Sequence, residues 1–162
     1  SIASYVNIEQ AIDFYLFINL IQGLDNAGKN LFLAKKDDGL PFFLIPWDMD
    51  ATWGRDWEGE TLNCDEISFN LYKRIIAANP DNFNQKMAAR WFQLRKSVFQ
   101  TSVIMQHFRN YSKQLIESGA EKRERERWDD SINDLSIEIE YINSWTENRL
   151  QKLDNYFLQF DN

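Results

Sequence analysis

The segment from Asn7 to Gly23 limits the possible folds most, because its pattern is typical of a helix with two apolar sides. Asn7 is a suitable N-cap, Gln10 stands at the reciprocal position of a capping box, and Gly23 can end the helix. One face carries Ile8, Ile12, Tyr15, Leu16 and Asn19, and the other carries Phe14, Phe17, Ile18 and Ile21. A helix that is apolar on both sides has to be buried. We therefore expect a larger structure to form around it.

The clear β signal lies in residues 31–45. The runs 31–36 and 40–45 flank Asp37-Asp38-Gly39, where glycine supplies the positive φ that a tight hairpin turn needs. Pro41 has no amide hydrogen, so the second strand is expected to be an edge strand at that point. Residues 54–66 show no periodicity and are predicted to form a loop.

Helical periodicity dominates the rest of the chain. Apolar residues three and four positions apart predict helices at about 71–78, 83–94, 104–115 and 132–157. Asn79-Pro80 ends the first of these, Asp81 is a plausible cap for the second, and Ser118-Gly119 ends the third. The charged run 121–128 is predicted to be a solvated face. The predicted fold class is mainly α with one β-hairpin.

Composition excludes several classes of protein. Hydrophobic residues make up 44% and aromatic residues 15%, which indicates a globular chain. The net charge of −7 argues against nucleic acid as a partner, since duplex binding depends on clustered Lys and Arg. Cys64 is the single cysteine, so the chain has neither an internal disulfide nor a Cys-based zinc site. No apolar run approaches the roughly eighteen residues of a membrane span.

Four side chains with oxygen atoms surround the predicted hairpin, namely Asp25, Asn30, Asp48 and Asp50. A hairpin returns the end of its second strand to the start of its first, so we expect these residues to converge at its open end. Hard cations such as Mg²⁺ prefer oxygen ligands, usually one or two carboxylates completed by water and phosphate. The cluster is therefore a candidate cation site.

The spacing within this cluster is also that of a protein-kinase catalytic loop. Asp25 and Asn30 are five positions apart, as in D-x-x-x-x-N, and Asp48 follows after the hairpin. In kinases the first Asp orients the acceptor hydroxyl and takes its proton, while Asn and the later Asp hold metal ions. A simpler interpretation stays open, in which Asp25 and Asn26 form a turn and Asp48 and Asp50 end the hairpin.

Two segments resemble the CotH (spore coat protein H) kinase-like family. Residues 43–54, FLIPWDMDATWG, resemble its W-D-x-D-x-x-x-G signature, and residues 12–32 follow its order of helix, Asp-rich turn, Asn and strand. Residues 145–154, WTENRLQKLD, are similar to its closing helix. The resemblance implies that residues 1–162 are the C-terminal portion of a single CotH kinase-like domain, resembling the C-terminal lobe of an atypical protein-kinase-like fold. The metal and catalytic loop is then 23–54 and the helical region 67–160.

The resemblance further implies chemical roles. Asp25 corresponds to the catalytic Asp, Asn30 and Asp48 to metal ligands, and Asp50 to a further ligand or its support. Lys29 lies in the same loop and is a candidate for binding nucleotide phosphates, although a lone lysine in an exposed loop is more often simply solvated. The implied cofactors are Mg²⁺ or Mn²⁺ and ATP, and the implied substrate is a protein hydroxyl. The family also suggests an extracellular, cell-surface or spore-coat location.

Two departures from a kinase pattern matter. Only seven residues precede the first helix, so the lobe that clamps the nucleotide is expected upstream, and this chain is predicted to be inactive alone. In addition, no His or Arg directly precedes Asp25.

Two other functions stay open. One is a non-catalytic secreted scaffold that binds glycan or protein, for which Trp53 and Trp57 could form a sugar-stacking face. The other is a helical interaction domain whose acidic loop is only a turn. Trp47, by contrast, is predicted to pack in the core beneath the metal loop.

Overall fold

The computed structural model describes residues 4–128 and 134–161, and within them the fold is mainly α with one antiparallel β-hairpin, as predicted. Ile132, which was predicted to belong to the last apolar stripe, lies outside the described residues. The described elements are α1 (Ile8–Ile21), β1 (Leu31–Ala34), β2 (Phe43–Pro46), α2 (Asn70–Ala78), α3 (Phe83–Arg95), α4 (Thr101–Glu117), α5 (Ala120–Arg127) and α6 (Leu135–Leu158).

The chain divides into two compact units. The first comprises residues 1–93 and 149–162, and it contains α1, the hairpin, α2, most of α3 and the C-terminal part of α6. The second comprises residues 94–148, with α4, α5 and the N-terminal part of α6. All of the predicted site residues belong to the first unit.

Helix α1 is the centre of the first unit, because nine of its fourteen residues are buried. Tyr15 stacks on Tyr72 with ring centroids 4.5 Å apart, and Phe157 meets Tyr15 edge-on at 6.4 Å. Trp91 packs on Phe157 at 4.7 Å, and its indole N–H donates to the Asp154 carboxylate at 2.8 Å. The expectation that α1 lies inside a larger structure is confirmed, and its neighbours are largely aromatic.

The ends of α1 differ partly from expectation. The Asn7 side chain accepts a hydrogen bond from the Gln10 amide at 3.0 Å, so Asn7 is the N-cap as predicted. The Gln10 side chain makes no reciprocal cap and instead contacts the backbone of Leu44, donating to its carbonyl at 2.6 Å and accepting from its amide at 2.8 Å. At the other end Gln22, rather than Gly23, adopts the left-handed conformation with φ of 57°. The side-chain amide of Gln10 thus hydrogen-bonds to both backbone groups of Leu44 in β2.

The hairpin pairs Leu31 with Pro46 and Ala34 with Phe43, and Gly39 has the positive φ, 87°, that the turn requires. Both strands are shorter than predicted, and Pro41 lies before β2 rather than within it. The missing Pro41 donor therefore disturbs no ladder hydrogen bond.

The start of α3 corrects one predicted cap. Asp81 does not cap the helix; it forms an ion pair with Lys86 at 2.6 Å. Asn79 supplies the cap-like contact instead, because its side-chain oxygen accepts from the Asn84 amide at 2.9 Å. Asn79 also ends α2 in the left-handed conformation, with φ of 41°, which asparagine tolerates well.

In the second unit the predicted stripe of α4 is only partly buried. Ile104 and Met105 are buried, whereas Tyr111 and Leu115 are 64% and 45% exposed, so the periodic pattern overstated the buried face. Helix α5 has no buried residue, which agrees with the solvated face predicted for the charged run. None of the described helices has the length and apolar character needed to cross a membrane.

Candidate catalytic and metal-binding site

The open end of the hairpin holds the residues that the sequence singles out. One position beyond the Leu31–Pro46 pair, the Trp47 amide donates to the Asn30 carbonyl at 3.1 Å. The Asn30 side chain then donates from Nδ2 to the Asp48 carbonyl at 3.2 Å. Strand pairing therefore places Asn30 directly beside Asp48, although eighteen positions separate them in sequence.

Asp25 is held at the same end by a short 3-10 turn, Asp25–Ala27. Its backbone carbonyl accepts hydrogen bonds from the amides of Lys29 and Asn30, both at 2.9 Å. These bonds close the loop from Asp25 to Asn30 into a compact unit ahead of β1. The structure therefore places Asp25 beside Asn30 and Asn30 beside Asp48, as predicted for these three residues. Asp50, the fourth residue of the predicted cluster, makes no hydrogen bond to them in the part of the chain that the structure describes.

Lys29 lies among the carboxylates of the cluster. Its Nζ is 3.0 Å from Asp25 Oδ2, and the two side chains are 76% and 46% exposed. The pKa of Lys29 is raised chiefly by the hydrogen bond and charge of Asp25, with smaller contributions from Asp48 and Asp50. All three carboxylates therefore act on one ammonium group, which indicates a locally negative surface that attracts cations.

Asp48 and Asp50 are exposed, and neither carboxylate accepts a hydrogen bond from any residue that the structure describes. Asp48 has a left-handed backbone with φ of 53°, a conformation that costs an L-residue about 1–2 kcal/mol. The Asn30 side-chain Oδ1 is likewise without a donor among the described residues. The oxygens with ligand chemistry are thus left available, while backbone contacts fix their positions.

Across residues 4–128 and 134–161, no three His, Cys, Asp or Glu side chains form a group that could hold a metal ion by themselves. The donor set at the hairpin is different, since it combines the carboxylates of Asp48 and Asp50 with the amide oxygen of Asn30. This set fits Mg²⁺, which is commonly bound through one or two carboxylates plus water and substrate phosphates. The metal roles of these residues remain predictions.

The predicted position of Trp47 is wrong. Trp47 is 62% exposed and meets Phe32 edge-on, with ring centroids 6.0 Å apart. The register explains the difference: Phe32 pairs with Ile45, and Trp47 follows Ile45 by two, so the three side chains share the outward face. Leu44, on the opposite face, is the buried residue of β2.

Sequence reasoning also missed the part played by Asn26, which is only 1% exposed. Its Nδ2 donates to the carbonyls of both Asn30 and Trp47 at 2.8 Å. The only signal in the sequence was an asparagine in a turn, which is too common a feature to indicate a buried bridge.

Arg149 of the closing helix has a structural role. It is 2% exposed and donates from Nε to the Asn19 carbonyl at 2.8 Å and from Nη1 to the Cys64 carbonyl at 2.8 Å and to the Asp65 carbonyl. Asn19 lies near the end of α1, and Cys64 and Asp65 belong to the long loop between β2 and α2, residues 47–69. Arg149 therefore fastens that loop and α6 to the helix that leads into the candidate catalytic loop.

Comparison with known proteins gives a consistent result. The family model described as CotH kinase protein matches residues 1–153. The inner spore coat protein H of Bacillus subtilis (strain 168) is 28% identical over 76 residues, a match that covers 47% of this chain and 21% of that protein. The chain thus spans about a fifth of the length of this relative. The residues matched by the family model include the hairpin and its acidic open end. The chain belongs to the CotH kinase protein family.

Proposed function

We propose that this chain is the metal-binding, catalytic-loop portion of a CotH-type kinase that transfers phosphate from ATP to protein hydroxyls. The observation that carries the proposal is the contact between Asn30 and Asp48, with Asp25 held to the Asn30 amide. The order D-x-x-x-x-N followed by Asp is thereby combined with spatial proximity. Phosphoryl transfer needs positioning and electrostatic stabilisation, and this geometry supports both.

Asp25 is the proposed acceptor of the hydroxyl proton. Its carboxylate is half-exposed and accepts a hydrogen bond from Lys29 at Oδ2, while Oδ1 has no donor among the described residues and can receive a substrate hydroxyl. Exposed ion pairs contribute little stability because water screens the charges, so Lys29 can leave Asp25 easily. Lys29 could then contact the phosphates, whose negative charge would replace that of Asp25 as its partner.

Asn30, Asp48 and Asp50 are the proposed ligands of Mg²⁺ or Mn²⁺. These residues would hold the ion, which would supply positive charge against the phosphates of ATP. Nucleotide binding would need such an ion, because the three nearby carboxylates would otherwise repel a triphosphate. Lys29 is a single positive charge on which all three carboxylates act. The arrangement supports metal-dependent rather than metal-free nucleotide binding.

We further propose that the activity requires sequence upstream of this chain. A kinase clamps the nucleotide from two sides, and the candidate residues of this chain supply one of them. The relative in Bacillus is named as an inner spore coat protein, and we accordingly propose a coat or surface protein as the substrate and the spore coat as the location.

The test is phosphate transfer from labelled ATP to a protein acceptor, measured for the full-length protein and for this chain. We expect Mg²⁺-dependent transfer by the full-length protein, loss of transfer in Asp25→Ala, and little or no transfer by the chain alone. Asp38→Ala is the matched control, since it removes an exposed acidic residue from the turn of the same hairpin. Equal activity of Asp25→Ala and Asp38→Ala would overturn the catalytic assignment.

A second candidate function is a non-catalytic scaffold that binds glycan. Of the two tryptophans predicted for a sugar face, Trp57 is 76% exposed and Trp53 is half-buried, while Trp47 is 62% exposed. Exposed indole rings are suited to stacking on sugars. This function predicts glycan binding that Trp57→Ala weakens, in a full-length protein that binds no ATP. Metal-dependent ATP binding without any glycan binding would exclude it.

A further inference from the structure

The candidate catalytic loop and the candidate metal segment meet at one buried side chain, Asn26. Both hydrogens of its Nδ2 are engaged, one by the Asn30 carbonyl and one by the Trp47 carbonyl, each at 2.8 Å. The Asn30 carbonyl also accepts from the Trp47 amide at 3.1 Å. Three hydrogen bonds therefore join Asn26, Asn30 and Trp47. In the chain, Asn26 directly adjoins Asp25 and Trp47 directly adjoins Asp48.

The surroundings of Asn26 leave it little freedom. The residue is 1% exposed, and a Cβ added at Gly23 would lie 2.5 Å from Asn26 Oδ1, far inside contact distance. Gly23 is therefore required for close approach, since the helix-ending left-handed conformation is adopted by Gln22. A buried amide held by two carbonyls and a tight backbone contact has one orientation available.

We propose that Asn26 is a positioning residue, which fixes the Asp25–Asn30 loop at a set distance from Trp47 and Asp48. The chemistry of the amide explains the choice of residue, because a single Nδ2 with two hydrogens can donate to two carbonyls, and a carboxylate cannot. The inference rests on the proposed function in one respect only: it takes Asp25 to be the catalytic residue and Asp48 to be a metal ligand.

The test uses Asn26→Asp, which keeps the size of the side chain but removes both donated hydrogen bonds. We expect amide hydrogen exchange at Asn30 and Trp47 to accelerate about tenfold or more, because loss of these bonds favours local opening. We also expect Mn²⁺ affinity to fall by about tenfold or more, as is usual when a residue that orients metal ligands is lost.

Asn84→Asp is the matched control, because the Asn84 Nδ2 also donates to a backbone carbonyl, that of Ile76, at 3.0 Å, away from the site. It should leave Mn²⁺ affinity and the two exchange rates unchanged. Gly23→Ala is a second route to the same perturbation if Asn26→Asp fails to fold, since the added methyl group displaces the Asn26 side chain.

The outcomes separate this inference from the proposed function. Absence of Mn²⁺ binding by the wild-type chain would count against the proposed metal site, while the exchange rates would still decide whether Asn26 holds the two segments. Unchanged exchange at Asn30 and Trp47 in a folded variant would overturn the inference. So would accelerated exchange combined with unchanged Mn²⁺ affinity, because Asn26 would then stabilise the loop without positioning the ligands.

Discussion

Replacing Arg149 with alanine should destabilise the first unit severely. The side chain donates three hydrogen bonds to backbone carbonyls while 2% exposed, and hydrogen bonds from a charged donor contribute about 1.5–3 kcal/mol each. The full sum overstates the loss, because water can reach the partly exposed Cys64 and exposed Asp65 once the guanidinium is gone. Burial also lowers the pKa of Arg149, which shows that the buried charge carries a desolvation cost. Replacing Arg149 removes that cost and so recovers some free energy.

We therefore expect Arg149→Ala to lower the free energy of unfolding by about 3–5 kcal/mol, a large part of the 5–15 kcal/mol typical of a domain. The measurement is urea unfolding followed by far-UV circular dichroism. Lys152→Ala is the control on the same helix; Lys152 is 54% exposed and 3.8 Å from Asp65, so its loss should cost less than about 1 kcal/mol. A loss below about 1 kcal/mol for Arg149→Ala would refute the idea that Arg149 fastens the loop to α1.

Two further stability measurements test the description of the first unit. Trp47→Ala should cost less than about 1 kcal/mol because the ring is 62% exposed, whereas Trp91→Ala should cost about 3–5 kcal/mol because Trp91 is fully buried; thermal melts that rank them the other way would contradict the assigned burial. Burial raises the pKa of Tyr15 and Tyr72, so both stay neutral in the folded chain at a pH where an unfolded tyrosine ionises. The stability they contribute is present below about pH 10 and is lost as the pH rises above that value. Tyr15→Phe should make the fall in the free energy of unfolding with pH less steep in urea unfolding. An identical pH dependence in the variant would contradict the role given to Tyr15.

The regular elements followed from local sequence. Helix periods, the turn at Gly39, the cap at Asn7 and the stop at Asn79-Pro80 each depend on a few neighbouring residues, and the structure has all four. Two of the failures were local, since Asn79 takes the capping role predicted for Asp81 and Gln22 the left-handed position predicted for Gly23. The others concern side chains whose partners are distant in sequence. Gln10 bonds to Leu44, 34 positions away, so a capping rule that considers only neighbouring residues could not find that contact.

The candidate site was predictable in outline and not in detail. The hairpin alone brings Asn30 to Asp48, because antiparallel pairing fixes which residues meet. The exposure of Trp47 depends on which face of the hairpin α1 covers, and the bridging contacts of Asn26 depend on backbone atoms of two segments. Neither is encoded in residue type or spacing.

Mn²⁺ titration of this chain by calorimetry is the most direct test of the proposed site. We predict binding by the wild-type chain, loss of binding in Asp48→Asn, and retention in Asp38→Asn. Asparagine is the suitable replacement, because residue 48 has a left-handed backbone that asparagine tolerates better than alanine. The melting temperature of Asp48→Asn without metal should match that of the wild type. No binding by the wild-type chain, or equal binding by Asp48→Asn, would contradict a metal site at the open end of the hairpin.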